Sequence, residues 1–428
     1  AGTNGLVYQQ IALKLPALTP AQQERLPLLC ALATEVGLGD TTYLEIQDRQ
    51  SASVGSLSLS VSTRASRSDV SDISGFLVMS SKALAHKVSD QTRLMTDTLT
   101  AASFVEGDRI RELVKQMRAR RDQSISGAGH SLAMTAACAS MSPLANLYHT
   151  QSGLEGIARL RRLDDSLADT SSLRSLSEEL SALQTHLLNT PSVNLLTISD
   201  PQNCEASTDQ LRNAAHGLIA ARNPQPWSLS ESANGTHQIW AANTQVNFCA
   251  KAYPTVSSGH PDAPTLSVLA AYLRNGFLHR SIREQGGAYG GGASHDGNVG
   301  AFRFFSYRDP RNLETLSDFD ASIAWMLSAE PDSLALEEAI LSVISSLDKP
   351  ASPSGEVKKA FYDGLYGRTA DHKRALRESI VSTTVEDLRR VTDTYLKAEV
   401  GCSVILTDPK TAASKALVDL GWTHHDLA

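Results

Sequence analysis

The sequence predicts an α+β fold of two homologous domains, each a mainly antiparallel sheet covered on one face by helices. Three observations predict it. One pattern of strand and helix signals occurs twice, about 200 residues apart, which indicates domain duplication and not the short period of a solenoid. Within each copy the strand signals come in consecutive groups and the helical signals gather afterwards, unlike the strict alternation of a parallel βαβ sheet. Between the copies lies RNPQPWSLSESANG, rich in Pro, Ser, Asn and Gly and without apolar periodicity, the composition of a surface linker. The expected organisation is a first unit over residues 1–221, a linker over 222–235 and a second unit over 236–428.

Size and composition agree. A chain of 428 residues suits two large domains, at roughly 150–200 residues each. Hydrophobic content of 41% and charged content of 20% describe a globular protein able to bury sizeable cores. No apolar run approaches the ~18 residues of a membrane span. A formal charge of −7 provides no strongly basic face, so neither nucleic acid nor a membrane is an expected partner. Five cysteines, Cys30, Cys138, Cys204, Cys249 and Cys402, are odd in number and widely separated. That pattern suits buried thiols better than a disulfide framework or a structural zinc site. The chain opens Ala1-Gly2-Thr3, with neither a methionine nor an apolar signal core, as a piece of something longer would. Its compartment is left undetermined, with a cytoplasmic or organelle-matrix location favoured over secretion.

Element by element, the two copies run in parallel. In the first, a strand ending Leu13-Lys14-Leu15-Pro16 leads through Thr19-Pro20 into a helix with Leu26, Leu29, Ala33 and Val36 at helical spacing. In the second, Val246, Phe248 and Ala250 alternate as a strand. Asp262-Ala263-Pro264 then opens a helix whose Leu266, Leu269, Ala270, Leu273 and Phe277 form one apolar stripe. The two helices carry matching endings, Val36-Gly37 and Asn275-Gly276. Leu57, Leu59 and Val61 alternate as Ala301, Arg303 and Phe305 do, each set reading as a half-buried strand. Phe76-Leu77-Val78-Met79-Ser80-Ser81-Lys82 aligns with Phe302-Arg303-Phe304-Phe305-Ser306-Tyr307-Arg308, and a long helix is expected after each. Both copies close with a short apolar strand, an Asp-Pro turn (Asp200-Pro201 and Asp408-Pro409) and one more helix.

The second copy departs from the repeat between its first helix and the strands, at LHRSIREQGGAYGGGA, residues 278–293. Phosphate-binding glycines lie between a strand and the following helix, whereas here the order is helix, glycines, strand. Gly286, Gly287 and Gly290 to Gly292 instead suit a tight exit from the helix and the close approach of another backbone, such as a peptide. A plain helix stop with a flexible hairpin fits the same composition. Arg283 ends the helix and Tyr289 begins the strand, so the two donors are expected to face one cavity across the turn. There they would hold a peptide carbonyl and its oxyanion; a solvated arginine and a packed tyrosine are the alternative. His279, one turn earlier, belongs either to that cavity or to the surface. No His-x-x-Glu-His motif in either direction, no Gly-x-Ser-x-Gly elbow and no catalytic cysteine signature occurs. His424 and His425, adjacent near the end of the sequence, make poor metal geometry and are expected in a solvated tail. His130 and His295 are expected to be structural.

Residues 273–310, LRNGFLHRSIREQGGAYGGGASHDGNVGAFRFFSYRDP, closely resemble the C-terminal half of the pitrilysin/insulinase family of zinc metallopeptidases, in particular its presequence-protease branch. A second stretch, from Gly129-His130-Ser131-Leu132-Ala133 to Met141-Ser142-Pro143, is similar to a helical segment of the same branch, and the likeness extends over essentially the whole chain. The resemblance implies a peptidase of two bowl-shaped halves, each of two related α+β domains, closing on unfolded peptides. It implies that zinc and the catalytic glutamate belong to the N-terminal half, absent here, and that this chain holds no metal. It places on Arg283 and Tyr289 the binding of the scissile region and stabilisation of the tetrahedral intermediate; Gly286, Gly287, Gly290 and His279, from the reading of the residues themselves, are expected beside the substrate. The first unit then reads as chamber wall. The chain alone is expected to be inactive, its partner being the N-terminal half. The alternative is a catalytically inactive relative that binds peptides or scaffolds an assembly.

Overall fold

A computed structural model describes residues 2–427 except 191, 219–224, 226, 231–234, 329 and 331. Four strands form the first sheet: β1 (Leu6–Lys14), β2 (Ser56–Ala65), β3 (Ile73–Leu84) and β4 (Val193–Ile198), in the order β2-β3-β1-β4. Six form the second: β5 (Gln238–Ala242), β6 (Phe248–Pro254), β7 (Gly290–Asp296), β8 (Ala301–Tyr307), β9 (Cys402–Thr407) and β10 (Thr423–Leu427), in the order β10-β5-β9-β6-β8-β7. The run β7-β8-β6-β9 is antiparallel throughout and repeats β2-β3-β1-β4; β5 and β10 extend it with parallel pairs. Both copies are thus mainly antiparallel α+β units, as expected.

Local chemistry explains the helix starts. In α1 (Pro20–Leu32) Thr19 and Gln22 form a reciprocal capping box and Pro20 occupies the first turn, where its missing N–H costs nothing. In α5 (Ala263–Leu273) Pro264 holds the equivalent place, while the Asp262 carboxylate accepts from Arg390 and from the Tyr395 hydroxyl, both at 2.7 Å. The Asp-Pro turns are helix starts too. Asp408 accepts from the Lys410 and Thr411 N–H groups, and Asp200 ties down the amino-terminal strand through the N–H groups of Thr3 and Gly5.

Each sheet is covered on both faces, and the second cover comes from the other copy. Ile11, Leu13, Leu77 and Met79 of the first sheet pack on Leu26 and Leu29 of α1 and on Leu94 and Met95 of α2 (Val88–Ala101). Ala12, Phe76 and Val78 point the other way, onto Phe361, Tyr362, Leu365 and Tyr366, mostly from a helix of the second copy, Pro353–Leu365. Reciprocally, Ile239, Tyr253, Phe302, Phe304 and Ile405 of the second sheet pack on α5 and on α6 (Leu313–Ser328). Trp240, Phe248, Ala250, Val404 and Leu406 face the 32-residue α3 (Gly107–Cys138) of the first copy. Gly129 makes that approach possible, since a Cβ there would lie 2.5 Å from the Phe248 ring. Next to it the helix kinks at Ala128, whose φ of −130° and ψ of 22° are non-helical between two glycines.

Several expectations change. Phe248 and Ala250 do not mark an alternating strand, because all of β6 but its last residue is buried; it is a central strand with helices on both sides. Ten of the eleven residues of α5 are buried, so the apolar stripe is the visible part of a core helix. Nor does that helix end at Asn275-Gly276: it runs on as a π-helix, Arg274–Gln285, with Trp325 packed 2.6 Å from where a Gly276 Cβ would sit. By its place in the sheet, the strand of Leu57, Leu59 and Val61 corresponds to glycine-rich β7 and not to Ala301–Phe305. His424 and His425 are in β10 and not in a tail, with His425 half-buried and stacked 4.1 Å from Trp240. Within 222–235, part of which lies outside the described residues, Trp227 is buried in the first core.

Candidate functional site

The π-helix Arg274–Gln285 carries the departure of the second copy from the first. Wide turns of this kind are uncommon and frequently mark functional sites. Here the widened register brings His279 Nδ1 within 3.4 Å of Glu284, five residues on. Leu278 and Ile282 remain in the core while Arg283, Glu284 and Gln285 point outward.

Beyond Gln285 the chain turns around its glycines. Gly286 N–H, Gly287 N–H and Ala288 N–H satisfy the last carbonyls, the latter two donating to Arg283 and Ile282 at 3.1 Å. Gly287 adopts φ +80°, the left-handed region that glycine tolerates. At Gly286 a side chain would collide with the Arg311 guanidinium, which crosses the turn to donate to the Ser281 carbonyl at 3.3 Å and to Asp318 at 2.8 Å. Arg311 thereby caps the π-helix from outside it. A Cβ on Gly291 would meet Ile282 at 2.8 Å, whereas one on Gly290 would meet nothing within 4 Å, so Gly290 lies against open space.

Tyr289 is 69% exposed, an uncommon state for a large aromatic side chain. Its ring edge rests on Tyr307 at 5.7 Å, and Tyr307 in turn meets the His130 ring of α3 at 4.8 Å. Burial lowers the pKa of His130 and favours its neutral imidazole. Arg283 is also exposed and enters no ion pair among the described residues. The two donors expected at this site thus stand at either end of one glycine turn, both facing outward. The neighbouring cavity of about 580 Å³ is lined by Arg308, Ser126 and residues 243–246, and by neither of them.

Sequence reasoning passed over Arg308 and Arg311, although both lie in or beside the quoted Ser-Tyr-Arg-Asp-Pro stretch. Arg308 has φ +50°, one of two non-glycine residues with positive φ among the described residues. Such a conformation costs about 1–2 kcal/mol and persists only where the surroundings impose it. Here the Tyr289 N–H donates to the Arg308 carbonyl at 3.3 Å, and Asp309 and Asn247 exchange backbone hydrogen bonds of 2.8 and 2.9 Å. Asp309 is fully buried, its carboxylate accepting from the Thr315 hydroxyl and the Arg311 N–H; burial raises its pKa. Among the described residues no three His, Cys, Asp or Glu side chains converge where an ion would sit. No helix among them is long and apolar enough to cross a membrane.

With this geometry in view, the comparisons with known proteins are specific. Residues 1–163 match the family model for the associated region of subfamily C of the M16 peptidases, and residues 237–407 the one described as PreP C-terminal domain. Mitochondrial presequence protease of Danio rerio is 29% identical over 95% of this chain, which spans 42% of that protein. The Saccharomyces cerevisiae presequence protease is 27% identical over 94% of this chain, again spanning 42% of the relative. Among solved structures, the peptidase M16 inactive domain from Pseudomonas fluorescens superposes with a TM-score of 0.65 at 15% identity, covering 95% of this chain and 94% of that one. Pitrilysin superposes with a TM-score of 0.62 at 15% identity over 96% of this chain and 41% of its own. At these identities the structural likeness speaks to the fold.

Proposed function

We propose that this chain, which belongs to the presequence-protease branch of the M16 peptidases, is the non-metal-binding C-terminal half of a zinc metalloendopeptidase that degrades short unfolded peptides. The observation that carries the reading is the outward pair: Arg283 exposed and without an ion-pair partner among the described residues, Tyr289 69% exposed, at the two ends of a turn that Arg311 and Gly286 hold in shape. An exposed arginine alone is ordinary, but a tyrosine this exposed beside it on a fixed turn is uncommon. A site completed by a second body leaves them open.

In this role the Arg283 guanidinium and the Tyr289 hydroxyl donate hydrogen bonds to the carbonyl oxygen of the scissile bond. They stabilise the negative charge that grows on that oxygen as the bond is attacked. His279, Gly286, Gly287 and Gly290 lie along the approach; Gly290, with open space where a side chain would be, lets a peptide backbone come close. Zinc and the general base belong to the N-terminal half, and the compartment proposed is an organelle matrix, after the mitochondrial relatives.

The test is turnover of an extended peptide by the full-length protein. Cleavage should be chelator-sensitive, and Arg283→Ala or Tyr289→Phe should lower kcat by roughly 10² or more, the scale of losing one transition-state donor. Unchanged kcat in both variants would remove the assigned roles. Absence of a zinc motif from the N-terminal half would favour the scaffold reading instead.

A further inference from the structure

Three arginines lie within nine residues after the glycine turn, and two are neutralised. Arg303 pairs with Asp296 at 3.2 Å and Arg311 with Asp318 at 2.8 Å. Arg308, between them, enters no ion pair among the described residues and is exposed. Its guanidinium lies over the Tyr307 ring, 5.4 Å from the centroid, which orients the group without satisfying its donors. Backbone strain at φ +50° aims it there, and strain held at one residue is characteristic of binding sites.

The cavity this cation borders is the one of about 580 Å³, and the Arg308 carbonyl accepts from the Tyr289 N–H at 3.3 Å. Its other walls are the turn carrying Asn243, Thr244 and Gln245, and Ser126 just before the kink in α3. Val246 adds an apolar patch; the other four are polar and uncharged, and no carboxylate among the lining residues competes for the arginine. Both copies contribute a wall, so the cavity exists only where they meet.

We propose that this cavity is a subsite for a carboxylate of the bound peptide, with Arg308 as the residue that recognises it. The inference rests on the peptidase reading above and adds the chemistry of one part of the substrate. Two sources supply that group: the C-terminal carboxylate and an Asp or Glu side chain. The planar guanidinium accommodates either, by a two-pronged hydrogen bond that an amide of the same shape cannot reproduce.

Equilibrium binding of fluorescent peptides to the full-length protein, with chelator present so that nothing is cleaved, tests this separately from catalysis. One pair of peptides differs only as C-terminal acid against amide; a second series moves a single Glu or Gln along the chain with the terminus amidated. The acid member of at least one pair should bind roughly tenfold tighter than its neutral counterpart. Arg308→Gly, which suits the positive φ and so is not expected to unfold the protein, should reduce that ratio to about one, and Arg308→Lys should restore part of it. The first pair responding assigns a chain terminus, the second a side chain. Equal binding within every pair, or a preference that survives Arg308→Gly, would overturn the proposal. Failure of chelator-sensitive cleavage, measured apart from the binding series and without chelator in the control arm, would instead count against the peptidase reading alone.

Discussion

The same position in the repeat is filled differently in the two copies, between the first helix and the edge strand beyond it. In the first copy it holds an ordinary helix, Tyr43–Ser53, started by a Thr42–Glu45 capping box, with its Arg49 paired to Asp97 at 2.9 Å. In the second it holds the π-helix Arg274–Gln285, a glycine turn and an Arg283 with no ion-pair partner among the described residues. One copy pairs its arginine, and the other closes its backbone hydrogen bonds but leaves Arg283 and Tyr289 pointing outward. Duplication therefore supplies a scaffold twice, and a local rewrite in one copy supplies the proposed site. The contrast depends on a seam where each copy covers the other's sheet, so it can be probed at the seam, at the turn and at the paired arginine.

The seam carries the largest expected effect on stability. His149 is buried against Trp240 at the junction, with Nδ1 unpartnered, and burial lowers its pKa from 6.5 to about 4. Because the folded form favours the neutral ring, the stability it contributes is complete above the unfolded pKa. It is lost as pH falls from about 6.5 to about 4, by at most on the order of 3 kcal/mol. Denaturant midpoints at pH 7 and 4.5 should therefore fall less steeply for His149→Leu than for the natural chain. Identical slopes would mean that the imidazole does not couple the copies.

At the close approach of α3 to the second sheet, Gly129→Val forces a side chain into the Phe248 ring and should cost roughly 1–3 kcal/mol. Thermal unfolding reads this directly; an unchanged Tm would show that the kinked helix simply moves away. The turn is expected to respond in a different way. Gly286→Ala displaces Arg311 from the Ser281 carbonyl, so kcat of the full-length enzyme should fall at least as clearly as stability, by about tenfold. A loss of stability with kcat intact would separate Arg311 from the site. The smallest effect belongs to the counterpart arginine: Arg49→Ala breaks a partly exposed pair and should cost under about 1 kcal/mol with turnover unaffected. A drop in turnover would end the description of the first copy as wall.

Much of this was legible in the residues. Thr19-Pro20, Asp408-Pro409 and the alternation through β2 and β8 mark elements that local chemistry fixes whatever packs on them. The position of Arg283 and Tyr289 about the glycine turn was also readable, because a helix end and a strand start are local events. The roles proposed for them rest on family likeness, since an exposed arginine and tyrosine carry no signal of purpose in their spacing.

What the sequence alone determined, then, is the duplicated α+β unit and the one stretch where the copies differ, because periodicity and capping act within a few residues. Only the tertiary structure decided what covers each sheet, why β6 and α5 are buried nearly all round, and why Arg308, unlike Arg303 and Arg311, has no ion pair among the described residues beside its cavity. Those facts depend on residues more than a hundred positions apart, such as Gly129 and Phe248, meeting at distances that no local pattern encodes.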